Sequence, residues 1–161
     1  MFGKLLGGFD RLVCWAIMLA MALMVAVVSV QVLLRYGVNS SLDWADDIGR
    51  LMFVTSVFLA LPIGIARNAH ISIELLVAHL PPRAQDGLAR FVALLSAGMM
   101  ALIAWYAAQV AAGQWSETLP TLDMSTAWFM VPVAFGSAHS ALHLLHIVMS
   151  GPSARADLAA E

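Results

Sequence analysis

From Leu12 to Leu34 the chain runs for 23 residues without a charged side chain, between Arg11 and Arg35. No other feature constrains the fold as strongly. A helix crosses the hydrocarbon core of a bilayer with about 20 apolar residues, and a soluble domain rarely needs an uncharged helix of that length. Three more stretches of the same kind follow, which places spans at residues 12–34, 42–66, 84–113 and 125–150. Composition agrees: 61% of the residues are hydrophobic and 11% charged, where an average globular chain is about 25% charged. So little charge cannot solvate the surface around a core of this size. The sequence predicts an all-α membrane protein, with one four-span domain over residues 1–150 and a short polar tail at 151–161.

Several function classes drop out early. A net charge of −2 offers no basic surface for nucleic acid. The single cysteine, Cys14, lies within the first apolar run, so no internal disulfide and no C-x-x-C pair exists, which argues against a thiol–quinone oxidoreductase. Lys4 and Arg11 before an apolar run resemble a signal peptide, but a signal's apolar core is about 7–15 residues. We therefore expect a retained first span. Its one strongly polar side chain is Gln31, whereas small multidrug exporters need a deep acidic residue there.

Basic residues orient the spans. Lys4, Arg11, Arg67, Arg83, Arg90 and Arg155 fall on one side, and only Arg35 and Arg50 on the other, with Asp43, Asp46, Asp47, Glu117 and Asp123. Both termini are thus expected in the cytoplasm, with Trp44, Trp115 and Trp128 at the outer interface. Ser40 with Asp43 three residues later resembles a capping box. Pro82 can open the third span, Gly113 close it, and Pro62 and Pro132 should kink the second and fourth. Between spans two and three, residues 70–80 are too few to cross a bilayer. His70 and Glu74, four apart, share a helical face, as in a short amphipathic helix lying along the inner interface. A cytoplasmic extension of span two is the alternative.

Three constellations stand out. Asp43, Asp46, Asp47 and Arg50, at offsets of 0, 3, 4 and 7, share one helix face, and Arg35 lies one short connection away. Three readings stay open for them: a salt-bridged clamp between spans one and two, a docking surface, or a cation path. In span four, His139, His143 and His146 align at steps of 4 and 3, a spacing that suits metal or haem. That span offers no carboxylate to orient them, and the first three spans offer no second axial histidine, so neither metal nor cofactor is assigned. Small residues form the third constellation: Ala97, Ala101, Ala104, Ala108 and Ala111 in span three, Gly136 and Ser140 in span four. These let helices approach closely.

Leu42-Asp43-Trp44-Ala45-Asp46-Asp47-Ile48-Gly49-Arg50, then Val57-Phe58-Leu59-Ala60, Ala66-Arg67-Asn68-Ala69-His70-Ile71-Ser72-Ile73-Glu74-Leu75 and Leu80-Pro81, resembles the small membrane subunit (DctQ type) of tripartite ATP-independent periplasmic (TRAP) transporters. The family pattern is an acidic pair before an arginine, a Phe-Leu-Gly, then Arg-x-x-His-Ile-x-Val-Asp-x-Leu and a Leu-Pro. Ala127 to Pro132 is similar to the start of the family's fourth span. Asp46 and Asp47 stand where glutamates are common, Ala60 replaces glycine, and Ile73-Glu74 replaces Val-Asp; charge or size is kept in each case.

The resemblance implies a non-catalytic permease subunit without cofactor in a bacterial inner membrane. It implies two partners besides the lipid bilayer: a large membrane subunit, and a soluble periplasmic binding protein that delivers an organic acid, with a sodium gradient as the driving force. Arg35, Asp43, Asp46, Asp47, Arg50, Arg67, His70 and Glu74 are then the candidates for partner contact or structural support. The competing reading is a membrane anchor of a redox complex that uses the span-four histidines.

Overall fold

The computed structural model of the chain describes residues 2–40, 42–66 and 82–150. Four α-helices account for most of them: α1 (Phe2–Gly37), α2 (Asp43–Ala66), α3 (Pro82–Gly113) and α4 (Met130–Ser150), with a 3-10 helix at Thr126–Phe129 leading into α4. All four are long and apolar enough to cross a membrane. Residues 70–80, expected as an interfacial helix, the tail at 151–161, and Arg67, His70 and Glu74 lie outside the described residues.

Two boundaries differ from the sequence reading. α1 begins ten residues before Leu12, because the segment ahead of Arg11 holds three glycines but no proline, and nothing in it stops a helix. Pro132 was expected inside a span as a kink. Instead Ser125 caps the 3-10 turn, its side chain accepting a hydrogen bond from the Ala127 N–H, and the α-helix proper begins at Met130. Pro132 thus falls in the first turn of α4, where the missing N–H costs nothing. Pro62 does lie inside α2, and its side chain is fully buried. Pro82 and Gly113 bound α3 as expected, and its 32 residues extend about 48 Å at 1.5 Å per residue.

α1 packs on α2, α2 on α4, and α4 on α3. The helices therefore follow one another in the order α1, α2, α4, α3. α4 is the most enclosed: half of its apolar window is buried, against 6% for α1. The covered side of α1 is a narrow seam of Asp10, Val13, Ile17, Ala20, Met24, Val27, Gln31 and Leu34, spaced alternately by three and four as a single line of helix contact requires. Cys14 is half-buried beside this seam, and the other described apolar side chains of the helix, including Trp15, Leu19 and Leu33, form exposed surface of the kind lipid or another membrane helix accepts.

Small residues allow a close approach between α2 and α4. A Cβ placed on Gly136 would stand 2.2 Å from the Phe58 carbonyl oxygen. That carbonyl is the one Pro62 leaves without a helical N–H donor four residues on. Ser137 and Ser140 are fully buried beside it in sequence. On α3 the buried alanines are Ala93, Ala97, Ala107 and Ala111, and Ala93 and Ala97 pack with Leu144 and Ile147 of α4. Ala101 and Ala108, expected on that face, point outward; the true contact line runs through Met100 and Ala107, one position earlier on the helix.

Candidate functional site

The chain turns from α1 to α2 through Asn39, which adopts a left-handed conformation (φ 53°), and the Val38 and Ser40 N–H groups bond back to the Leu34 carbonyl. This turn sets the C-terminal end of α1 beside the N-terminal end of α2. Asp43 and Asp46 lie in the first turn of α2, where carboxylates favour the helix dipole. Together with Arg35, Gln31 and Asn39 they line a cleft of about 370 Å³.

The four residues that share a face by their offsets have different neighbours. Asp46 accepts a hydrogen bond from Gln31 Nε2 of α1 at 3.0 Å. Asp47 accepts one from the Thr121 hydroxyl, in the connection between α3 and α4. Asp43 and Arg50 are exposed, and among the described residues no carboxylate forms an ion pair with Arg50. One tie between the first two spans at this end is the Gln31–Asp46 hydrogen bond. Arg35 faces the same cleft as Asp43 and Asp46.

The 3–4 connection is itself ordered around these groups. Thr118 and Ser125 form one antiparallel bridge, and the Thr126 N–H reaches the Glu117 carbonyl at 2.9 Å. The Ser125 and Thr126 hydroxyls both donate to the Gln114 carbonyl, which closes α3 against the loop. Trp115 and Trp128 pack with ring centres 6.3 Å apart. Through Thr121 this loop is joined to the acidic end of α2.

Sequence reasoning missed one polar residue altogether. Asp10 lies at the other end of α1, and its Oδ1 is 3.2 Å from Nε2 of both His139 and His143. The histidines do have a carboxylate, supplied by another helix. The signal was present: Asp10 falls in the same three-and-four spacing as Val13, Ala20 and Gln31. It lay two residues outside the first span as read from charge. His146, expected on the same face as the other two histidines, is not part of this group and is partly exposed.

With this geometry in place, comparison with known proteins decides the family. The sequence model for the DctQ component of tripartite ATP-independent periplasmic transporters matches residues 24–151. The chain belongs to the DctQ family. It is also 34% identical over 97 residues to a Haemophilus influenzae protein described as a TRAP transporter small permease protein. That match covers 60% of this chain and 56% of the relative, so the shared part is little more than half of the relative's length. The charged end of α2, the 3–4 connection and all three α4 histidines fall within the DctQ match, whereas Asp10 precedes it. As a DctQ member the chain belongs to a class of transporter permease subunits, which are generally not enzymes.

Proposed function

We propose that this chain is the non-catalytic small permease subunit of a TRAP transporter in a bacterial inner membrane. In this reading it scaffolds a large membrane subunit that carries an organic acid, drives transport with sodium, and holds the substrate itself. Both termini face the cytoplasm. The end bearing Asp43, Asp46, Asp47, Arg50 and Arg35 faces the periplasm and helps to receive the binding protein.

Membership of the DctQ family is the observation that carries this reading. Physical features support it. No discontinuous helix opens a substrate site at mid-span among the described residues, a device that secondary transporters use. Large apolar faces of α1 and α3 are free to meet a partner helix. The redox-anchor reading gains no support, because His139 and His143 turn their Nε2 atoms toward each other and toward Asp10. That is not how two axial ligands approach a haem from opposite sides.

Reconstitution tests the proposal. The chain alone, in vesicles with sodium outside and none inside, should show no organic-acid uptake. Uptake should appear when the large subunit and binding protein of the same transporter are added, and should collapse without a sodium gradient. Uptake by the isolated chain would overturn the scaffold role.

A further inference from the structure

Asp10, His139 and His143 lie at the opposite end of α1 from the charged cleft, and nothing in the scaffold role uses them. Asp10 Oδ1 and the two Nε2 atoms form a triangle with all three edges at 3.2 Å. The His139 and His143 side chains are 4% and 0% exposed, while Asp10 keeps 20% exposure. We propose that these three side chains bind one divalent transition-metal ion of the zinc class, which clips α1 to α4.

The donor set fits such an ion. Imidazole nitrogen and carboxylate oxygen are zinc ligands, at about 2.0–2.2 Å. Donors at that distance around a tetrahedral ion lie roughly 3.3 Å from one another, close to the spacing observed. Calcium and magnesium prefer six or more oxygen ligands, so two imidazoles select against them. The exposed side of Asp10 leaves an approach for the ion and room for a water as fourth ligand.

Hydrogen bonding alone serves this triangle less well. A neutral imidazole carries one ring proton. If one Nε2 lacks it, a lone pair faces a carboxylate oxygen at 3.2 Å. If both carry it, two N–H groups converge on one oxygen and on each other. A cation at the centre meets three lone pairs at once. It also acts where the packing is thin, because α1 runs along α2 and has no comparable contact with α4.

The test uses the full chain, purified in detergent on a histidine-free tag, stripped with chelator and titrated with Co²⁺ as a spectroscopic probe. One Co²⁺ should bind per chain, with visible d–d absorption that Zn²⁺ abolishes by displacement. Asp10→Asn and His139→Gln should each weaken binding by more than the roughly 10–100-fold that loss of an outer-shell partner costs. His146→Gln should bind as the wild type does. Asp10→Cys should keep the site and add a thiolate-to-cobalt charge-transfer band, which only a direct ligand at position 10 produces. Zn²⁺ should raise the thermal unfolding temperature of the wild type but not of Asp10→Asn. Absence of stoichiometric Co²⁺ binding in the wild type, or equal affinity in the wild type, Asp10→Asn and His139→Gln, overturns the proposal.

Discussion

At the start of α2, two adjacent carboxylates serve different neighbours. Asp46 holds α1 through Gln31, and Asp47 holds the 3–4 connection through Thr121. Arg50 is exposed, so it has little to contribute to the chain by itself. Arg50→Ala should change the stability of the isolated subunit by less than about 0.5 kcal/mol. If Arg50 meets a partner, the same change should lower copurification of the large subunit or substrate uptake, and Asp43→Asn, about two turns nearer the helix end, should do so less. Wild-type levels of both for Arg50→Ala would make this a solvated helix end. The common face of these residues was legible from their offsets alone. Their separate partners were not, because Thr121 lies 74 positions from Asp47, and a spacing rule sees only its own helix. Asp10 was hidden for the same reason, 133 positions from His143.

Among the elements, α2 and α4 meet backbone to backbone at Gly136, and one atom limits the meeting. Pro62 frees the Phe58 carbonyl from the helical ladder, and Gly136 presses its bare Cα toward that oxygen. Gly136→Ala introduces a methyl group 2.2 Å from it. Backbone cannot swing aside as a flexible side chain would. The substitution should therefore cost at least the ~1–3 kcal/mol typical of overpacking, read as a lower midpoint of thermal or denaturant unfolding in detergent. Gly98→Ala is the control, since a methyl there meets open space and should be neutral or slightly stabilising. An unchanged midpoint for Gly136→Ala would mean that the helices separate without penalty. Helix existence was readable from hydropathy, because lipid requires backbone groups to be satisfied within each span. Helix faces were less so. On α3 the alanines at 4-3-4-3 steps suggested one contact line; Ala97, Ala104 and Ala111 do lie on the covered side, but Met100 and Ala107 take the places expected of Ala101 and Ala108.

For the whole molecule, orientation rests on six basic residues against two. Reporter fusions after Asn39 and after Glu117 should both read periplasmic; a cytoplasmic signal from either would reverse or break the proposed topology. The count of spans followed from composition, but their order across the molecule did not, since hydropathy says what a helix dissolves in and not which helix stands beside it. That order, with α1 and α3 on the outside, makes tolerance to substitution uneven. Lipid accepts almost any apolar side chain, whereas a neighbouring helix accepts few shapes. A substitution scan scored on folded yield of the chain alone should find α4 the least permissive helix and the outward face of α1 the most. Repeating the scan in the assembled transporter turns this unevenness into a ruler. Positions that lose their freedom only in the assembly would trace the footprint of the missing subunit, and those that keep it would mark where the protein ends and the fatty acyl chains begin.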